Sequence, residues 1–205
     1  MRRTTYHHGA LRDALLAACL RLLESEGLAA VSLRRVAREA GVSTGAPYHH
    51  FPDRAALLSA LSVQGFRLLE AELRAARAAA PDPLAAINAL AAAYVHFSRE
   101  HPAHFRLMFR PELSQPEKHP DVSTAGDAAF GVLTDTIAEC VAAGVLPERG
   151  AETLAVTFWA LAHGLASLWL DGKLAERSDQ LGTSADELVA EILRTFTALA
   201  TPAAG

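Results

Sequence analysis

Ser32, Arg34, Arg35, Arg38, Thr44, Tyr48, His49, His50 and Arg54 crowd hydroxyl, guanidinium, phenol and imidazole groups into one short stretch of the chain. Such groups donate hydrogen bonds and supply positive charge, which suits gripping an anion better than breaking a bond. Between them, Gly45, Ala46 and Pro47 are nearly bare of side chain, so the backbone there can approach another surface closely. Bond-making chemistry has weaker support. His101 and His104 have the i, i+3 spacing that can set two imidazoles on one helix face, and nine histidines invite a metal. Yet H-E-x-x-H, a phosphate-binding glycine loop and paired cysteines are all absent. The adjacent pairs His7-His8 and His49-His50 point in diverging directions on a helix. No catalytic residue, cofactor or metal is therefore expected, and a helical enzyme or metal protein stands only as the rival reading.

The elements that position these groups can be read locally. Ser32 is a good N-cap, and Leu33, Val36, Ala37 and Ala40 recur at helical spacing, predicting a helix from Leu33 to Ala40 with its arginines outside. Gly41 ends it in the left-handed conformation that closes helices, and Val42 supplies the apolar contact beyond. Ser43 or Thr44 is expected to cap the next helix, with Pro47 tolerated in its first turn and Phe51 as its internal anchor. Asp53 caps a further helix carrying Leu57, Leu58 and Leu61. Two short helices joined by a glycine turn form a helix-turn-helix, whose second helix enters the major groove of DNA.

The run V-A-R-E-A-G-V-S-T-G-A-P-Y-H-H-F-P-D-R-A-A-L resembles the N-terminal domain of the tetracycline-repressor (TetR) family of bacterial transcriptional regulators. The resemblance covers about the first quarter of the chain. It implies that Ser32, Arg34, Tyr48, His50 and Arg54 mainly grip phosphates, while Thr44, the bare backbone at Gly45 and His49 approach base edges. Pro47 stands where the family usually has an aliphatic residue, and Arg54 where lysine is usual. The first departure bears on the pose of the recognition helix; the second preserves the charge.

Alanine dominates the 205 residues and β-branched residues are sparse, which favours an all-α fold. Net charge is −4, but residues 1 to 54 hold eight arginines against five acids, while the remainder carries −7. The basic N-terminal part can approach phosphates. Cys19 and Cys140 lie in apolar helical patterns without C-x-x-C spacing and read as reduced core residues. The start, MRRTTYHHG, shows no secretory signal, so a cytoplasmic location without membrane contact is expected. Ala155 to Leu170 falls short of the ~20 apolar residues of a membrane span and reads as a core or interface helix. Two domains are predicted: residues 1–54, a helix-turn-helix DNA-binding domain, and 55–205, a helical effector-binding and dimerisation domain. Helices are expected over about 9–26, 54–80, 83–100, 102–110, 125–143, 147–171 and 184–200, with loops over 111–124 and 172–183. Arg2, Arg3, Thr4 and Thr5 form a tail or a DNA-touching arm.

Aromatic residues crowd the second domain. Tyr94, Phe97, His101, Phe105, Met108, Trp159 and His163 are the expected effector pocket, suited to a small, largely apolar ligand with one or two hydrogen-bonding groups. Taken singly, each reads more readily as core than as ligand contact. Trp159 to Gly164 resembles the signature of the family's Trp-His-Gly (WHG) group. TetR-like proteins dimerise through their last two long helices, which places Leu161, Gly164, Leu165 and Leu168 against Leu188, Ile192 and Phe196 at a homodimer interface. The implied function is a ligand-responsive repressor that binds a palindromic DNA operator as a dimer and is released by an effector. A DNA-binding protein without effector is the alternative.

Overall fold

The computed structural model describes residues 5–200 and is all-α in that span. Its helices are α1 (Thr5–Glu26), α2 (Leu33–Glu39), α3 (Arg54–Ala79), α4 (Pro83–Glu100), α5 (Pro102–Met108), α6 (Pro111–Ser114), α7 (Asp121–Ala142), α8 (Ala151–Leu170), α9 (Lys173–Leu181) and α10 (Ala185–Ala200). Two turns of 3₁₀ helix, Leu28–Ala30 and Ala46–His49, complete the inventory. The expected arm at Arg2, Arg3 and Thr4 lies outside the described residues, and Thr5 opens α1.

Packing divides the chain into two compact units. Among the described residues, those up to 66 with 102–125 make the first, and 67–101 with those from 126 on the second. The break at residue 66 falls inside α3, beyond the sequence-based boundary at residue 54, and α5 and α6 rejoin the first unit. The core of that unit gathers Leu15, Cys19 and Leu22 from α1, Leu33 and Val36 from α2, Phe51, Leu57, Leu58 and Leu61, and Leu107 from α5. Burying such a set is its main stabilising force, on the order of 1.5–3 kcal/mol per large side chain. Gly65 lets α5 lie against α3: a Cβ there would stand 2.5 Å from the Met108 sulfur and 3.1 Å from the His104 Cβ.

The second unit is organised by α4 lying along α8, with α7 and α10 around them. Ile87, Ile137, Cys140, Leu146, Ala155 and Phe158 form its centre, with Phe196 packed against it. Arg77 ties the end of α3 to Asp135 and Glu139 of α7. Arg99 lies 4.2 Å above the Trp169 ring and 2.8 Å from Asp186, joining α4 to α8 and α10.

Two stretches differ from the sequence expectation. The segment 172–183, expected as a connection, contains α9: Leu174 and Ser178, one turn apart, are buried, and left-handed Gly172 and Gly182 close its two ends. Residues 111–124, expected as a loop, hold the single turn α6 and the first residues of α7, separated by Gln115 in a left-handed conformation. Local capping explains why other boundaries match. Asp82 accepts from the Ala85 amide at 2.8 Å, and Ser184 and Glu187 exchange the reciprocal bonds of a capping box.

Candidate functional site

The Ser32 hydroxyl accepts from the Arg35 amide at 3.3 Å and caps α2, fixing where its arginines emerge. Val36 and Ala37 face the core, so Arg34 and Arg38, one turn apart, are left exposed. Arg35 turns back to pair with Glu26, and Arg21 reaches Glu39 at 2.9 Å, binding α2 to α1. After α2, Gly41 adopts φ 70°, and the Val42 amide donates to the Ala37 carbonyl at 2.9 Å. These contacts make a firm platform before the turn that carries the candidate recognition residues.

The recognition element is shorter than its sequence suggested. It is the 3₁₀ turn Ala46–His49, preceded by Gly45 with no side-chain cap, so neither Ser43 nor Thr44 performs the expected capping. Pro47 lies in the first turn, where its missing amide hydrogen leaves no helical bond unmade, and its ring is buried. The Phe51 amide then donates to the Pro47 carbonyl at 2.8 Å, and the Phe51 ring is buried beneath the Arg12 guanidinium. Outside this anchor, Thr44, Gly45, Tyr48 and His49 are exposed, with the Tyr48 ring half in solvent. His50 is half-buried beside Phe51.

Arg54 departs from its expected place. Its Nε donates to the Val31 carbonyl at 2.9 Å and its second nitrogen to the Leu28 carbonyl at 2.8 Å. Its charge reaches the buried Cys19 thiol, whose pKa burial raises to about 12 while Arg54 pulls the other way. A guanidinium committed to two backbone carbonyls holds the first residue of α3 against the turn before α2, in place of reaching outward to a phosphate. Arg38, which the site set lacked, is exposed on the Arg34 face, and the helical spacing of α2 already carried that signal.

The seven expected pocket residues separate between the units. Phe105 and Met108 belong to the first, where Phe105 packs on Phe109 and Met108 on Gly65. Within the second unit, Tyr94, Trp159 and His163 come together. The Tyr94 hydroxyl lies 2.9 Å from His163 Nδ1 and takes a hydrogen bond from the Trp159 indole. Burial pushes the Tyr94 pKa up and the His163 pKa below its ordinary value, so the hydroxyl stays protonated and the ring favours neutrality. Trp159 also meets Phe130 edge to face. Phe97 is fully buried with its ring 4.9 Å from that of His101 at a tilt of 45°, and His101 Nε2 stands 3.4 Å from Glu72. No cluster of three or more His, Cys, Asp or Glu that could hold a metal occurs among the described residues.

The expected dimer residues also divide. Leu165 and Leu188 are buried in the chain's own core, because α8 turns that face toward α4 and α10 turns Leu188 inward. Phe196 meets Phe158 edge to face at 5.0 Å. Leu168 is exposed, as are Val156 and Leu199, while Leu161, Gly164 and Ile192 are half-buried. A Cβ on Gly164 would meet nothing within 4 Å. Helix α8 is long and apolar enough to cross a membrane by length and composition, yet only 28% of its apolar window is buried in the chain.

Two family models match the chain. The model for bacterial regulatory proteins of the tetR family matches residues 15–61, and that for the tetracyclin repressor-like C-terminal domain matches residues 87–196. A protein of unknown function from Rhodococcus sp. RHA1 is 36% identical, with a TM-score of 0.81 over 98% of this chain and 100% of its own. The TetR family transcriptional regulator PfmR from Thermus thermophilus shares the fold at 21% identity and a TM-score of 0.67, over 88% of this chain and 94% of its own. The HTH-type transcriptional regulator BetI of Paraburkholderia phytofirmans is 39% identical over 83 residues, 40% of this chain and 43% of that protein. The chain thus spans less than half the length of that relative.

Proposed function

The chain belongs to the tetR family of bacterial regulatory proteins, which makes it a DNA-binding transcriptional regulator, and from that premise we propose a cytoplasmic homodimer that represses from a palindromic operator and is released by a small, largely apolar effector. The observation that carries the proposal is the exposed turn of Thr44, Gly45, Tyr48 and His49 on an internally anchored helix pair. Arg34, Arg38, Ser32 and His50 supply phosphate contacts around it, while Thr44 and His49 meet base edges. One such turn is a small reader. A dimer with its two readers about 34 Å apart spans successive major grooves on one side of the duplex.

The exposed apolar residues of α8 and α10, Val156, Leu168 and Leu199, with Ala160, Gly164 and Ile192 beside them, are the proposed dimer face. A second copy is the cover that so apolar and so little buried a helix as α8 requires. Tyr94, Trp159 and His163 are the proposed polar end of the effector site. The effector acts by binding two conformers unequally, with α3, whose residues enter both units, as the lever between them.

Fluorescence anisotropy with duplexes from the DNA around its own gene tests the reading. Expected are nanomolar binding to one palindrome and an affinity that falls steeply with salt. Indifference to every duplex at low ionic strength overturns the proposal. Thermal-shift screening against hydrophobic metabolites tests the effector, and persistent silence across a broad set removes that half of it.

A further inference from the structure

The first unit holds a cleft of about 310 Å³, at the small end of ligand-site volumes, between the end of α1 and the α5–α6 corner. Its floor is apolar: Leu23, Leu28, Leu107 and Leu113 line it. Its charged lining is Arg106, Arg110 and Glu24. Arg110 is rooted rigidly. Its amide donates to the Leu107 carbonyl at 3.1 Å and its carbonyl accepts from Leu113 at 2.9 Å, while the side chain remains exposed. Among the described residues no carboxylate lies within ion-pair distance of Arg110.

We propose that this cleft binds a small amphipathic carboxylate, its apolar tail on the leucine floor and its head group on Arg110. A planar guanidinium matches a carboxylate with two parallel hydrogen bonds, which a neutral head group cannot reproduce. The leucines favour an unbranched apolar tail over a polar ligand. The site is separate from the Tyr94–His163 cluster, which lies in the other unit. Its occupant would rest on Gly27 and Leu28, the turn whose Leu28 carbonyl also receives Arg54, and so would bear directly on the support of α2.

The test uses the full chain with leucine methyl groups labelled for NMR, titrated with octanoate below its micelle concentration. Octanol and octylamine serve as the neutral and cationic counterparts. Expected are saturable shifts at Leu23, Leu28, Leu107 and Leu113 with octanoate, and affinities weaker by roughly tenfold or more for the other two. Arg110→Ala is expected to lose a similar factor, with Arg110→Lys recovering part of it. Ala103→Phe, on the cleft wall, fills the space and abolishes the shifts without removing a charge. Equal affinity for octanol, an unchanged Arg110→Ala variant, or shifts confined to leucines of the second unit each overturn the proposal.

Discussion

Gly65 in α3 and Gly164 in α8 both sit inside long helices, where glycine costs about 1 kcal/mol relative to alanine, yet their surroundings are opposite. Around Gly65 the missing side chain is filled by Met108 and His104 from α5, within one unit of one chain. Around Gly164 there is open space, and exposed Leu168 lies one turn away. The first region has spent its glycine on internal packing. The second leaves a smooth strip that another surface can approach, which is why the same residue type points to core in one place and to assembly in the other.

That contrast can be broken most forcefully at Gly164. Gly164→Arg is expected to leave monomer stability nearly unchanged while raising the dimer dissociation constant at least a hundredfold, about 3 kcal/mol, by sedimentation equilibrium. A dimer of unchanged strength removes α8 from the interface. Gly65→Val is the reciprocal experiment. It should cost about 1–3 kcal/mol of stability through overpacking against Met108, seen as a lowered Tm, with no direct effect on association.

Tyr94→Phe removes the hydroxyl from His163 Nδ1 and is expected to cost about 1–2 kcal/mol in thermal unfolding. Its pH dependence sharpens the point. Burial holds the folded His163 pKa below its ordinary 6.5, so the unfolded chain binds the proton more readily. The contribution of neutral His163 is therefore complete above about pH 6.5 and is lost as pH falls through the depressed folded value. His163→Gln should flatten that acid limb in denaturant titrations.

The arginines separate by the kind of effect expected. Arg34→Ala and Arg38→Ala should each lower the slope of log affinity against log salt by about 1 at nearly constant stability. Arg54→Ala should instead lower stability by about 1–3 kcal/mol, because the Leu28 and Val31 carbonyls lose their donor. A change in salt slope for Arg54→Ala with unchanged Tm would return that residue to the DNA surface.

What the sequence made legible was local. Ser32, Asp53, Asp82 and the Ser184–Glu187 box announce helix starts within three residues of themselves, and each makes the bond its spacing implied. Helix α9 was hidden because Lys173–Leu181 is mostly charged or polar, and its buried pair, Leu174 and Ser178, is too thin a stripe to stand out. Arg54 was misplaced for another reason. Its acceptors lie 23 and 26 residues away, and no local periodicity encodes a partner at that distance. The inward turn of Leu165 and Leu188 likewise depends on which side of α8 and α10 meets α4, a choice that an apolar helix face alone leaves open.

The buried ring of Pro47 and the ring of Phe51 fasten a turn of only four residues, while Thr44, Tyr48 and His49 project from it without supporting it. Anchorage and reading are thereby assigned to different side chains. On the proposed function, mutations at the projecting positions would rewrite sequence preference at small thermodynamic cost, and the chain could drift between operators by a succession of foldable intermediates.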